Sequence, residues 1–512
     1  MYLALAYIKM KNDSIKKTAL LGLIYLGAGK WLGKLFSFAT TLVLARLLSP
    51  EDYGTMALVM VFIGFLGFFN EIGLGSAILQ RPVISAAQLD GCFYLSLMIG
   101  SALCGVTFFL APFVAHYYEN LLLTPIIRFV ALTFIFGSLA TVSGALINRA
   151  MNFKMLAGIE FVAVILQSIV TLVLAWLGFG VWALALGFFA SQVLKSVLTY
   201  HFGKWHPSRV GGLRAAVDLI KFGATVTYSR ITWYFYNNAK TLIIGKTLNS
   251  QLLGIYSMAD TLASLPNAHI TSLIISVASP LFARLQHDLD RLNRALLRLT
   301  SGLALINYPV MVGMVITAPE FVPLILGSNW VEVVLPLQIL CLVGLVKSID
   351  PLITQALIST GRAKIAARYT SLCALTIPGS VFVASIQWGL QGAAVGTALA
   401  YSLSSLYLFF VARRHLHLSM RKYVGAIRMA VEACVWMLVI VLGINELLIR
   451  SGINQALVLL VAKTVFGAIS YAVFLIYVRK DGLRDCYEVL CEVGISKSKL
   501  NRWPFSRIST RS

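Results

Sequence analysis

Charge is scarce in this chain. Of its 512 residues only 12% are Asp, Glu, Lys or Arg, against roughly a quarter in an average soluble domain. Acid is scarcer still, with 20 Asp and Glu beside 42 Lys and Arg. A soluble fold with 59% hydrophobic residues would expose a large apolar surface, so that class is excluded in favour of a chain that uses lipid as its solvent. Cysteine is sparse and scattered, at Cys92, Cys104, Cys341, Cys373, Cys434, Cys486 and Cys491. No pair has CxxC spacing and no His cluster accompanies them, which excludes a metal centre or disulfide framework. Enzyme signatures are missing as well. No Walker loop GxxxxGK[ST] is present, and neither is HExxH or a G-x-S-x-G elbow. Sizeable extramembrane loops are also lacking, the longest on the outer side being Pro319–Trp330. A membrane polymerase would need such a loop for its catalytic groups, so neither an enzyme nor a bound cofactor is expected.

What the chain has is hydrophobic length. Mean hydropathy is +0.83, and a spanning helix needs about 20 mostly apolar residues. Fourteen stretches qualify by windowed hydropathy. Six come first: Thr18–Ala45, Tyr53–Leu79, Leu89–Ala115, Pro125–Ile147, Met155–Leu177 and Val181–His201. Six more are Val217–Gly245, Leu252–Phe282, Ala295–Ala318, Val331–Ser359, Ala366–Trp388 and Gly392–Ala412, and a last pair is Val424–Ile449 and Ile453–Val478. The expected architecture is all-α and integral to the membrane. The start, residues 1–17, is basic and has no cleavage site after a short apolar run.

The net charge of +22 would suggest nucleic acid on a soluble domain, but here the cations fall in alternate loops. One set carries Arg81; Arg149 and Lys154; Lys204, Arg209 and Arg214; Arg284 to Arg298; Arg362, Lys364 and Arg368; and Arg413 to Arg428. The intervening loops carry Arg46, Lys246 and Arg450. That alternation predicts an even number of spans with both termini cytoplasmic. The basic side would also attract anionic membrane lipids, and no nucleic-acid partner is expected.

The chain repeats itself. Residues Leu42 to Gly54, LVLARLLSPEDYG, lie on Leu242 to Gly254, LIIGKTLNSQLLG, at an offset of 200 residues. Each copy runs apolar, then a cation (Arg46, Lys246), a short polar corner, and a glycine before the next span. Ala145-Leu-Ile-Asn matches Ala356-Leu-Ile-Ser, and Gly178-Phe-Gly180 resembles Gly389-Leu-Gln-Gly392. Spans one to six and seven to twelve therefore read as parallel copies, with a substrate pathway expected at the repeat interface. The domains expected are a basic N-terminus 1–17, an N-lobe 18–204, a linker 205–216, a C-lobe 217–414, an appended pair 415–478 and a basic tail 479–512.

Charges at membrane depth mark function by default. Lys30 and Lys34 share a helix face, continued by Ser37 and Thr41. The 200-residue offset places Arg230, Tyr234, Asn237 and Thr241 at the same register. Such stripes suit an anionic, phosphate-bearing substrate, since Arg binds phosphate bidentately and Lys acts as a point charge. The binding candidates are Lys30, Lys34, Arg230, Asn237, Asn238, Lys347 and Arg128. Acids within or beside spans are Glu71, Glu160, Asp218, Asp260 and Asp350. Of these, Glu71, Asp260 and Asp350 are the ion-coupling candidates, for an H+ or Na+ gradient. An ion pair of Glu71 with Lys30 or Lys34, and an i,i+3 pair of Asp350 with Lys347, are the structural alternatives. Pro266, Pro280, Pro309, Pro319, Pro323, Pro336, Pro351 and Pro378 concentrate in the second half and predict kinks or hinges.

Four segments carry a family resemblance: Val43–Gly54 (VLARLLSPEDYG), Glu71–Pro82 (EIGLGSAILQRP), Asn307–Pro309 followed by Glu320–Trp330 (EFVPLILGSNW), and Leu340–Ser348 (LCLVGLVKS). In these, over about residues 14–483, the chain resembles the polysaccharide-transporter family of the multidrug/oligosaccharidyl-lipid/polysaccharide exporter superfamily, in the branch with colanic acid and teichuronic acid exporters. The resemblance implies two six-helix bundles in a V with two extra helices. It implies alternating access that moves an undecaprenyl-pyrophosphate-linked repeat unit across the bacterial inner membrane, for exopolysaccharide, capsule or O-antigen. The implied partners are the lipid-linked oligosaccharide and the polymerase and glycosyltransferases of its pathway. In related flippases, cations in the first helix and its repeat partner hold the diphosphate, and Lys30, Lys34 and Arg230 occupy that region here. Relatives specific for the peptidoglycan precursor carry an Arg-Asp pair where this chain has Thr40-Thr41, and an Arg pair where it has Asn70-Glu71. That departure argues against that cargo. An ion-coupled exporter of small molecules from the same superfamily is the rival reading, and a polysaccharide polymerase the third.

Overall fold

The computed structural model describes residues 33, 34, 36–71, 74–81, 84–208, 234, 235 and 237–478. Among them every regular element is helical. Eleven helices are long and apolar enough to cross a membrane. One of these, α14 (Ala363–Leu416), has 54 residues. At about 1.5 Å per residue that is far longer than a hydrocarbon core of about 30 Å. Trp388 at φ −128° and Gly389 at φ 60° break it into two legs, so it supplies two crossings. Two expected spans, 18–45 and 217–245, lie largely outside the described residues.

The chain divides into two compact units, 1–254 and 255–512. In the first, the described helices are α1 (Phe36–Leu47), α2 (Pro50–Glu71), α3 (Leu74–Gln80), α4 (Ala86–Tyr117), α5 (Leu123–Ala131), α6 (Thr133–Arg149), α7 (Phe153–Trp176) and α8 (Val181–Phe202). Residues 237–247 form α9. α4 starts on a capping box in which Ser85 and Gln88 each take the other's backbone N–H, satisfying donors that lipid could not. Asn152 caps α7 through the Met155 N–H.

Membrane helices pack where small residues admit a neighbour's backbone. A Cβ on Gly100 of α4 would lie 2.1 Å from the Ser138 hydroxyl of α6, and one on Gly187 of α8 would lie 1.9 Å from that of Thr171 on α7. The Ser96 hydroxyl donates to the Ser138 carbonyl at 3.0 Å. Beside this contact Asn70, at the end of α2, donates to the Phe134 carbonyl at 3.2 Å.

The second unit begins within α10 (Ser250–Pro266) and continues through α11 (Ser272–Leu285), α12 (Leu289–Phe321), α13 (Val334–Ser359), α14, α15 (Met420–Arg450) and α16 (Ala456–Val473). Two of the prolines mark departures from α-geometry. Pro266 leads into a π-turn at Asn267–Thr271, and Pro323 lies in another at Val322–Leu326, as expected where a donor is missing. Pro280, Pro309, Pro351 and Pro378 are accommodated inside α-helices.

The repeat shows in the backbone. Gly180 ends the α7–α8 turn at φ 54°, ψ −133°, and Gly389 breaks α14 at φ 60°, ψ −140°. The two glycines share one conformation that side chains disfavour, so Gly180 pairs with Gly389 rather than with Gly392.

Helices α15 and α16 are fastened to α12. Lys463 of α16 and Glu320 of α12 form an ion pair of 2.6 Å with side chains only 8% and 13% exposed. The Tyr471 hydroxyl donates to the Leu305 carbonyl at 2.8 Å. Ala430, Cys434, Met437 and Val441 of α15 pack against Leu305, Tyr308 and Ile316. The appended pair is thus an integral part of the second unit.

Candidate functional site

The first unit holds an open cavity of about 470 Å³. It is lined by α7, α8 and the segment 33–37. Spacing does the work. Glu160 and Gln167 are two turns apart on one face of α7, and Ser191 and Lys195 are one turn apart on α8, with Gln192 adjacent. Lys34, Ser37 and Phe161 complete the polar and aromatic lining. Gly33 lies beside Phe161, whose ring a Cβ at that position would meet at an ordinary contact distance of 3.9 Å.

Two ammonium groups, Lys34 and Lys195, both exposed to this space, face one carboxylate, Glu160. The excess is cationic, in a chain whose membrane-depth charges are few. The Ser191 hydroxyl donates to Gln167 Oε1 at 3.2 Å, which leaves the Gln167 amide NH2 as a donor. Point charges for a phosphate oxygen, amides and a carboxylate for hydroxyl groups, and a phenyl face for a sugar ring are thus present in one pocket.

The expected site residues fare unevenly. Lys34 and Ser37 line the cavity, whereas Lys30, Arg230 and the side chain of Glu71 lie outside the described residues. Tyr234 does not continue a free polar stripe, because its hydroxyl donates to the α2 carbonyls of Val61 at 2.8 Å and Met60 at 3.2 Å. Asn238 spends its amide on the Tyr234 carbonyl at 2.9 Å. Asn237 is exposed on α9, and neither asparagine lines the cavity. Arg128 is stapled to α4, donating to the Phe108 carbonyl at 3.1 Å with its guanidinium 4.1 Å above the Phe108 ring. That arrangement is a helix-packing contact.

In the second unit Lys347 is half-buried with its ammonium 5.8 Å from the Tyr401 ring centre, and Asp260 is half-buried on α10. Asp350 is 4% exposed. Its oxygens accept from the Tyr369 hydroxyl at 2.7 Å and the Ser405 hydroxyl at 2.6 Å. These two hydroxyls of α14, rather than the i,i+3 lysine, hold the carboxylate. Asp350 borders a second cavity of about 590 Å³, lined mainly by apolar and aromatic groups including Tyr308, Phe409 and Tyr423.

Sequence reading missed Lys195, Gln167, Ser191 and Gln192, and left Glu160 without a role. The signal was there: a lysine and a serine one turn apart inside the apolar run 181–201, facing an acid and an amide two turns apart inside 155–177.

Comparison with known proteins decides the family. Residues 43–335 match the family described as polysaccharide biosynthesis protein. The chain belongs to that family. A similar relative is the lipopolysaccharide biosynthesis protein WzxC of Escherichia coli (strain K12), 26% identical over 72% of this chain and 75% of that protein. The teichuronic acid biosynthesis protein TuaB of Bacillus subtilis (strain 168) is 27% identical over 67% and 71%. The succinoglycan biosynthesis transport protein ExoT of Rhizobium meliloti (strain 1021) is 25% identical over 87% and 90%. Among solved structures, the lipid II flippase MurJ in an inward closed conformation superposes with a TM-score of 0.73 at 13% identity, over 89% of this chain and 99% of that one. An inward-facing multidrug resistance MATE family transporter of the MOP superfamily gives 0.59 at 15% identity, over 77% and 98%. The family member described here therefore has the fold of the MOP exporters, a multi-pass membrane protein as its hydropathy requires.

Proposed function

We propose that this chain is a flippase for a lipid-linked oligosaccharide used in building a surface polysaccharide. The observation that carries the reading is the cavity of the first unit. A net-positive, amide-lined, phenyl-bearing pocket at membrane depth matches a phosphate joined to sugars. It is ill suited to a lipophilic cation, which an acid-lined cavity would hold better. Family membership and relatives named for lipopolysaccharide, teichuronic acid and succinoglycan biosynthesis support the same cargo class.

In this reading Lys34 and Lys195 neutralise the phosphate, Gln167, Gln192 and Glu160 meet sugar hydroxyls, and Phe161 offers a face to a ring. No covalent chemistry is required, so the protein acts as a transporter and not as an enzyme. Its place is the bacterial inner membrane with both termini in the cytoplasm, on the strength of the alternating basic loops. An H+ or Na+ gradient drives the cycle, with Asp350 and Asp260 as the described carboxylates available to couple it.

The test is the double variant Lys34→Ala/Lys195→Ala in cells that depend on this protein for a surface glycan. Surface glycan is expected to fall at least about tenfold, in keeping with loss of two charge-assisted contacts, while lipid-linked repeat units accumulate on the cytoplasmic side. Unchanged export, or loss of resistance to a cationic drug instead, would overturn the reading.

A further inference from the structure

The short turn between α4 and α5 ties together the two copies of the repeated corner. Residues 49–54 open α2 and residues 249–254 open α10, all within the first unit. The helices cross there with no room for a side chain. A Cβ on Gly54 would lie 1.7 Å from the Ser250 carbonyl oxygen, and one on Gly254 would lie 1.7 Å from that of Pro50. The contact is reciprocal, each glycine receiving the first carbonyl of the other copy. That is why this glycine recurs where the aliphatic residues around it drift.

Four side chains at the turn reach across this crossing. Asn120 Nδ2 donates to Thr55 Oγ1 of one copy at 3.0 Å and to Ser250 Oγ of the other at 3.0 Å. Its Oδ1 accepts the Leu122 N–H at 3.0 Å, which fixes the amide's orientation. Glu119 Oε1 meets Lys246 Nζ at 2.9 Å, and that ammonium also stands 5.0 Å from the Tyr117 ring centre. The Tyr118 hydroxyl donates to the Leu242 carbonyl at 3.4 Å. Glu119 adopts φ 55° as the left-handed residue that closes α4, with the Asn120 N–H on the Ala115 carbonyl at 3.0 Å and the Glu119 N–H on the His116 carbonyl at 3.2 Å. That local cap aims the side chains of the turn at the crossing. Lys246 bonds and attracts the Glu119 carboxyl, holding it below the usual carboxylate range.

We propose that residues 117–120 form a releasable latch, with Asn120 as its bolt, that keeps the two repeated corners crossed in the state described and must let go for them to part. The materials suit such a part. Neutral hydrogen bonds and an exposed ion pair are each modest and break without stranding a buried charge. The glycine crossing supplies close contact without side chains that would have to unpack. A permanent joint would be built from interdigitated apolar groups instead.

The test reads amide hydrogen exchange of the full-length purified protein, without cargo. Asn120→Ala is expected to speed exchange of residues 49–56 and 249–254 by about tenfold, as loss of two hydrogen bonds would, with α7, α8 and the second unit unchanged. Glu119→Lys should act in the same direction by about threefold, and Glu119→Lys/Lys246→Glu should restore protection. Both of these positions lie at the surface, so this pair stays informative if Asn120→Ala proves unstable. Unaltered exchange at both corners in Asn120→Ala, or no restoration by the charge exchange, overturns the proposal. A second arm rests on the flippase reading. Asn120→Cys/Ser250→Cys, oxidised, should stop glycan export, and a reductant should restore it. Export that continues with the bridge formed shows that the corners need not part. Normal corner protection in Lys34→Ala/Lys195→Ala keeps a failure of that reading distinct from a failure of the latch.

Discussion

The two units have spent their polar residues differently. The first keeps charge in the open. Lys34, Lys195 and Glu160 face a cavity among amides and a hydroxyl, and its buried Asn70 makes one hydrogen bond while its oxygen finds no partner among protein groups. The second pairs several of its buried polar groups with one another, though Asn307 Oδ1 and Glu320 Oε2 stay without a hydrogen bond among the described residues. Asp350 is ringed by hydroxyls. Asn267 donates to the Gly344 carbonyl at 3.2 Å and accepts from Asn307 at 2.6 Å, and Lys463 is buried against Glu320. One unit presents charged and amide groups to a cavity, and the other uses the same kinds of group largely to fix its own packing.

The comparison can be broken most forcefully at the ion pair of the second unit. Lys463→Met leaves Glu320 buried and uncompensated, which should cost about 3–5 kcal/mol. The companion Lys463→Met/Glu320→Leu should recover most of that loss. Thermal unfolding in detergent reads both, and equal destabilisation by the single and the double variant would show that the pair is merely adjacent.

The two buried asparagines come next. Asn267→Leu removes two hydrogen bonds and strands the Asn307 donor, for about 2–3 kcal/mol, whereas Asn70→Leu removes one, for about 1 kcal/mol. The same unfolding measurement should rank them in that order, and the reverse order would undo the contrast between units.

The glycines Gly180 and Gly389 sharpen the likeness instead. Alanine at either must adopt a region that costs about 1–2 kcal/mol. Gly180→Ala should cost slightly more, because its new Cβ would meet the Asp52 carboxylate at 3.1 Å while nothing lies within 4 Å of Gly389. Smallest of all, Arg450→Ala breaks an exposed 3.0 Å pair with Glu446 and should shift stability by less than about 0.5 kcal/mol.

Much of the architecture was legible in the chain. Low charge and long apolar runs gave the membrane class, and the Gly54/Gly254 register gave the repeat, because glycines that must admit a neighbour's backbone cannot drift. Lys34 and Ser37 were singled out for sharing a helix face, and both line the cavity of the first unit. Other features depend on neighbours that no local pattern announces. Arg128 looks like a membrane-depth cation until Phe108, 20 residues earlier, is seen to take it up. Asp350 points by spacing to Lys347, yet its partners sit 19 and 55 residues away on α14. Lys195 reads as a lysine near a helix end, which snorkelling explains, until α7 is placed opposite it.

The fastening of α16 to α12 has a practical corollary. A fluorophore, spin label or fusion partner attached near the end of α16 will report the second unit, since Lys463 and Tyr471 bind that helix to it along its length. Deleting α16 is no neutral trim. It would strip the counter-ion from a carboxylate already short of partners, Glu320 Oε2 having none, and truncated forms should be lost to quality control before their transport can be assayed.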